Sequence, residues 1–216
     1  LRYGLEMFGF CSFSNLILFC RFRWFDSNSV RELVNAFPNV AKFKYESFGQ
    51  SSTLIQHHLI PFLAQWSDKL TTLELLLEFP QHDKLLDSLN KSTVTEIVAL
   101  FESINLLPAL ECLTIEINNK LYPKIDRFFN SEYRGIEPHF EFPILARLRE
   151  FYFRTDDIIQ CTPLLYSLAM FAKNNARLEH LGIGLVDRPF DLGQFLRSQC
   201  PQLGRLITCL PYFNLD

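Results

Sequence analysis

Two pairs of adjacent titratable residues are the first candidates for chemistry in this 216-residue sequence. His57-His58 offers two imidazoles, the side chains that most often bind metals or move protons near neutral pH. The pair falls in a stretch with helical spacing, where adjacent side chains do not face the same ion. Asp156-Asp157 would supply paired carboxylates, but it follows a strand-like stretch at a position typical of a helix N-cap. We therefore predict that His58 packs in the core and that the aspartates cap a helix.

The six cysteines form no metal or redox motif, because none stands in a C-x-x-C pair and no histidine cluster lies near them. A chain with 48% hydrophobic residues can bury a core without disulfides, so we interpret them as reduced thiols. Gly182-Ile183-Gly184 lacks the third glycine of a dinucleotide-binding loop, and no other catalytic motif is present. The sequence therefore predicts no catalytic, cofactor-binding or metal site.

The charge balance disfavours nucleic acid as a partner, because 21 basic and 24 acidic residues give a net charge of -3. The most apolar stretch, residues 8–20, is too short to cross a bilayer, and polar residues interrupt it. We expect a cytoplasmic protein, or alternatively a nuclear one, that binds no membrane. Because the sequence begins with Leu1 instead of Met, it also predicts a fragment of a longer chain.

A recurring phrase organises the chain: an apolar residue, two variable positions, an apolar residue, one variable position and another apolar residue. Its clearest copy is Leu110 to Ile115, and successive copies start 27, 30, 40, 38, 30 and 25 residues apart. The alternation predicts a short strand in each copy, and turns with Pro38, Pro108, Pro143 and Pro201 precede four of them. The seven copies begin at Phe13, Val40, Leu70, Leu110, Leu148, Leu178 and Leu203.

Apolar residues at helical spacing fill the stretches between these phrases. Strands and helices therefore alternate with short connections, which is typical of an α/β fold. The predicted helices cover residues 27–37, 54–66, 93–104, 164–172 and 190–197.

The phrases resemble the leucine-rich repeat, L-x-x-L-x-L-x-x-N/C-x-L. Only the copy at Leu110 has the asparagine, Asn118, and Asp156 takes the equivalent place after Phe153. The resemblance implies an irregular solenoid, with a curved parallel sheet on its concave side and helices on its convex side. We predict one such domain over residues 1–216; an ordinary three-layer α/β domain is the alternative.

In such a solenoid the third, fifth and seventh positions of each phrase face the concave surface, where a protein partner would bind. Tyr152 beside Arg154 is the preferred anchor, because both residue types are common at interface hot spots; a merely solvated sheet face is the alternative. Gly182 and Gly184 would leave the backbone bare, which either admits a close partner or relaxes the strand. The candidate binding residues are Lys42, Lys44, Glu74, Thr114, Glu116, Glu150, Tyr152, Arg154 and His180.

Irregular repeats with long helices, 22 phenylalanines and proline-marked strand starts resemble the repeat region of F-box proteins. That resemblance implies capture of a substrate for a cullin-based ubiquitin ligase, although the sequence shows no F-box to bind a Skp adaptor. Two alternatives remain open. One is a leucine-rich sensor or regulatory scaffold, and the other is an α/β enzyme with titratable residues gathered in a deep pocket.

Overall fold

The computed structural model describes eleven stretches of the chain. Sequence features that lie outside these stretches remain predictions. His57-His58, Asn118, Pro143 and Asp156-Asp157 are among those outside the described residues. The described residues are 15–20, 32, 35–47, 59–77, 99–117, 144–155, 168, 170–184, 193–194, 196–198 and 200–208.

Seven parallel strands form one sheet in the order of the sequence, which confirms the predicted α/β class. Each strand begins at the third position of one of the seven phrases, so the local alternation of apolar residues located every strand. The strands are β1 Asn15–Cys20, β2 Lys42–Ser47, β3 Thr72–Leu77, β4 Cys112–Ile117, β5 Glu150–Thr155, β6 His180–Ile183 and β7 Arg205–Thr208.

The register aligns equivalent phrase positions across the sheet, and a ladder of backbone carbonyls sets it. The Glu111 carbonyl, just before β4, accepts the N–H groups of both Arg149 and Glu150 at 2.8 and 3.0 Å. The Arg149 carbonyl repeats this one strand further, accepting from Glu179 and His180 at 2.9 Å each. The carbonyls of Ala41, Thr71 and Glu179 likewise each accept two consecutive N–H groups from the following phrase. A slip of one residue would therefore break two bonds at every step as well as the strand pairing.

A tight turn leads into most strands. The carbonyl of Leu107 accepts the N–H of Leu110 across Pro108-Ala109, and Cys200 and Leu203 do the same across Pro201-Gln202. Proline suits this place because its φ matches the second residue of the turn and it has no N–H to lose. The turn before β5 runs from Leu145 to Leu148 without a proline.

Helices cover one face of the sheet. Helix α1 spans Ile60–Trp66, and residues 99–105 and 170–174 are also helical, the latter extending beyond the predicted end at residue 172. The ring centroids of Phe62 and Trp66 lie 5.8 and 5.1 Å from that of Phe43. The ring centroids of Phe171 and Phe151 are 4.4 Å apart. No helix in the described stretches is long and apolar enough to span a membrane.

The core consists of the first, fourth and sixth phrase positions together with the apolar residues of these helices. Phe43, Leu73, Leu113, Phe151 and Leu181 are each at most 1% exposed and stand side by side in the sheet. Each such burial is worth about 1.5–3 kcal/mol, which explains why large apolar residues recur at this position. Since neighbouring residues of a strand point to opposite faces, the same pattern directs the variable positions away from the core.

Candidate functional site

The polar face is our name for the third, fifth and seventh phrase positions of β2 to β6, on the side of the sheet opposite the core. All the predicted binding residues lie on it, because side chains alternate along each strand. Lys42 and Arg154 are exposed, and the others are partly buried. These partly buried residues are Lys44, Glu74, Thr114, Glu116, Glu150, Tyr152 and His180.

A lysine bridges two carboxylates at the β2–β3 side of the polar face. Lys44 Nζ lies 2.8 Å from Glu46 Oε1 and 3.9 Å from Glu74 Oε2. The hydrogen bond to Glu46 is the main reason that the pKa of Lys44 is raised. Glu46 is only 9% exposed, and a buried carboxylate requires such a partner. The positive charge of Lys44 is therefore largely neutralised by Glu46 and Glu74.

Glu150 connects three strands at the centre of the polar face. It stands in register between Cys112 and His180, and its Oε1 lies 3.7 Å from His180 Nδ1. Its Oε2 accepts hydrogen bonds from the Tyr152 hydroxyl at 3.4 Å and from the Cys112 thiol at 3.9 Å. Burial, and then the charge of Glu150, raises the pKa of Cys112 to about 11. Burial and Glu150 likewise raise the pKa of Tyr152.

The row of Cys112, Glu150 and His180 contains the residue types of a thiol catalytic site in an order that does not activate the thiol. A nucleophilic cysteine needs a lowered pKa, usually from an adjacent imidazolium. Here the carboxylate stands between the thiol and the imidazole, and the pKa of Cys112 is raised. The thiol is therefore protonated at neutral pH. Within the described stretches, no group of three or more metal-ligating side chains is placed to hold an ion.

Tyr152 and Arg154 form the most structured part of the polar face. The Tyr152 ring lies against Gly182, its register partner on β6, and the Arg154 guanidinium carbon is 5.7 Å from the ring centroid. A guanidinium at this distance interacts favourably with the ring face. Gly182 is buried, so the expectation of bare backbone there is wrong. The Tyr152 ring fills that space because Gly182 has no Cβ to exclude it.

Gly184, also expected to be bare, is buried as well. Its N–H donates to the Phe153 carbonyl at 2.8 Å, which continues the pairing of β5 with β6 past the last residue of β6. Ile17 and Phe19 on β1 hold equivalent phrase positions, but their side chains lie outside the described residues. Among the described side chains, Glu150 and Tyr152 make their contacts on β4 to β6.

Two contacts that sequence reasoning missed join neighbouring repeats outside the polar face. Arg149 forms a two-pronged salt bridge with Glu179, with N–O distances of 3.2 and 3.0 Å. Both residues occupy the second position of their phrases, so opposite charges there were an available signal. Asn175 is 1% exposed; its Oδ1 accepts the Leu145 N–H at 2.7 Å and its Nδ2 donates to the Phe171 carbonyl at 2.8 Å.

No protein-family model matches the chain, and no curated protein matches it either. The resemblance to leucine-rich repeats and to the repeat region of F-box proteins is consequently carried by the phrases alone. The role of the polar face has to be argued from its own residues.

Proposed function

We propose that this chain is an irregular leucine-rich-repeat module that recognises a protein partner through its polar face. The observation that carries the proposal is the contrast between the two sides of the sheet. Helical residues pack on one side, whereas the other presents the charged residues Lys42, Glu116 and Arg154 and the Tyr152 ring on a parallel sheet. Side chains held on strands lose little freedom on binding, which favours affinity.

The Tyr152–Arg154 pair is the proposed anchor. Tyrosine and arginine dominate interface hot spots because each buries a large area and retains a polar group for specific contacts. The contacts of Tyr152 with Gly182 and with Arg154 restrain its ring before a partner arrives. Glu150 supports the hydroxyl end of the same ring.

In its narrower form, the proposal makes the partner a substrate of a cullin-based ubiquitin ligase. Its support is the resemblance to the repeat region of F-box proteins: unequal repeat lengths, abundant phenylalanine and proline before the strands. In that arrangement an F-box binds the Skp adaptor and the repeats hold the substrate. A cytoplasmic or nuclear location belongs to the same proposal.

Affinity purification from cells of the natural source tests the general proposal. The baits are the 216-residue chain, the variant Tyr152→Ala with Arg154→Glu, and the control Arg147→Glu. Arg147 is exposed in the turn before β5, so the control makes the same charge reversal away from the polar face. We expect a protein that the chain and the control retain and that the double variant retains at least about tenfold less. Equal retention by all three baits would contradict the proposal.

The ligase form needs a second bait, the full-length product of the natural transcript. Co-purification of a Skp adaptor and a cullin would support a substrate-recognition role. Their absence, with a partner still bound through the polar face, would favour a sensor or scaffold. The 216-residue bait thus tests whether the polar face binds a partner, and the full-length bait tests whether the protein belongs to a ubiquitin ligase.

A further inference from the structure

Three charged residues of the polar face, Lys42, Glu116 and Arg154, make no ion pair within the described part of the chain, and the last two are neighbours. By contrast, Lys44 pairs with Glu46 and Glu74, and Glu150 lies 3.7 Å from His180. The charge of Glu116 raises the pKa of Lys44, but less than the charges of Glu46 and Glu74 do.

Glu116 and Arg154 are register partners on adjacent strands. Strands lie about 4.8 Å apart, so opposite charges here would ordinarily pair across the sheet. The guanidinium instead lies over the Tyr152 ring, and its five N–H donors have no hydrogen-bond partner among the described residues. Arg154 is exposed and Glu116 is partly exposed, so both are accessible to a partner.

We propose that the partner's contact segment carries an acidic side chain that pairs with Arg154 and a basic side chain that pairs with Glu116. This inference rests on the proposed function and names the chemistry of the partner. A guanidinium recognises a carboxylate through two parallel hydrogen bonds, and a carboxylate accepts from lysine or arginine. Charge complementarity of this kind selects one partner over others and fixes the register of docking.

The surroundings of the pair constrain the segment further. Leu76, partly exposed, is the register partner of Glu116 on β3, and the Tyr152 ring lies beside Arg154 on β5. An apolar side chain of the partner therefore packs near the basic one. A phosphate backbone fits poorly, because Glu74, Glu116 and Glu150 would repel it. The segment is a polypeptide whose two charges stand roughly 5–7 Å apart, as they do on one side of a helix or strand.

A random 12-residue peptide display library panned against the 216-residue chain tests this inference. Enriched peptides are synthesised, and their affinities are measured by fluorescence anisotropy for four proteins. These are the wild type, the charge-exchanged variant Glu116→Arg with Arg154→Glu, the variant Tyr152→Ala, and the control Arg147→Glu. The exchange leaves the net charge unchanged, and circular dichroism confirms that each variant is folded.

We expect enriched peptides to contain one acidic and one basic residue near an apolar one. The charge-exchanged variant should bind them about tenfold more weakly, and a peptide with its two charges swapped should recover that loss. Peptides that bind through Tyr152 but are indifferent to the exchange would overturn this inference and leave the proposed function standing. If no enriched peptide depends on Tyr152, Glu116 or Arg154, the proposed function itself fails.

Discussion

The ring of Tyr152 lies across Gly182, its register partner on the neighbouring strand. A Cβ built on Gly182 would overlap the ring, with Cε1 only 2.9 Å away. The glycine is thus required by a side chain from the preceding repeat, and the pair couples two repeats on the polar face. Since Arg154 lies against the same ring, the position of the proposed anchor depends on a residue that has no side chain.

Gly182→Ala should destabilise the protein only while Tyr152 is present. The added methyl group displaces the ring, and overpacking of this kind costs about 1–2 kcal/mol. In a Tyr152→Ala background the same change should be neutral or stabilising by up to about 1 kcal/mol, because alanine restricts the unfolded chain. Urea denaturation of the wild type, both single variants and the double variant measures the coupling. If the changes in the free energy of unfolding caused by Gly182→Ala and Tyr152→Ala are additive, the ring contact does not constrain Gly182.

Asn175→Ala should cost about 2–3 kcal/mol, because it leaves the Leu145 N–H buried without its acceptor. The chain contains a matched control. Asn105 Oδ1 accepts the Ile144 N–H at 2.9 Å in an exposed setting, where water can replace the lost acceptor. Asn105→Ala should therefore change the free energy of unfolding by less than about 0.5 kcal/mol. Chemical denaturation measures both variants. If they lose similar free energies of unfolding, burial does not determine the cost of removing the acceptor.

Cys112 should react slowly with alkylating reagents. Its pKa of about 11 replaces an ordinary value of 9.0, so the thiolate fraction near pH 8 falls about 100-fold. Iodoacetamide modification followed by peptide mass spectrometry measures the rate at this site. Glu150→Gln should accelerate it, because a negative charge next to the thiol is removed, whereas Glu102→Gln on the helical side should not. Reaction of folded wild-type Cys112 at the rate of a free cysteine would contradict the raised pKa.

The Arg149–Glu179 salt bridge should make a small, acid-sensitive contribution to stability. The hydrogen bond from Arg149 lowers the pKa of Glu179 below its ordinary 4.5. A lowered pKa in the folded state stabilises the protein above pH 4.5, and this contribution is lost as the pH falls through the folded value. The urea midpoints of the wild type and Glu179→Gln should differ slightly at neutral pH and converge as the pH falls below the folded-state pKa of Glu179. A constant difference between the two proteins would refute the linkage.

The strands could be predicted from the sequence because their pattern is local. Phe151 and Phe153 alternate with Glu150, Tyr152 and Arg154, and an apolar core on one side requires that order. The same alternation placed every candidate binding residue on the polar face. Helix ends were less accurate, as residues 173–174 show, because short helices are held by packing more than by intrinsic propensity.

The contacts between repeats could not be predicted in this way. The hydrogen bond from Cys112 to Glu150 depends on a register between strands whose phrases start 38 residues apart. Neither phrase contains the information that aligns it with the other. Gly182 is a further case, since a glycine in a strand is compatible with bare backbone or with a covering side chain. Only the position of the Tyr152 ring distinguishes these possibilities.

Recognition through the polar face is tested most directly by site-specific photo-crosslinking in cells of the natural source. A benzophenone amino acid replaces Thr114, at the centre of the polar face, or Gln65, exposed on α1 on the helical side. We expect a discrete adduct with one protein from position 114 and none from position 65. The same adduct should disappear when Tyr152→Ala and Arg154→Glu are added. Adducts only from position 65, or identical adducts from both positions, would contradict recognition through the polar face.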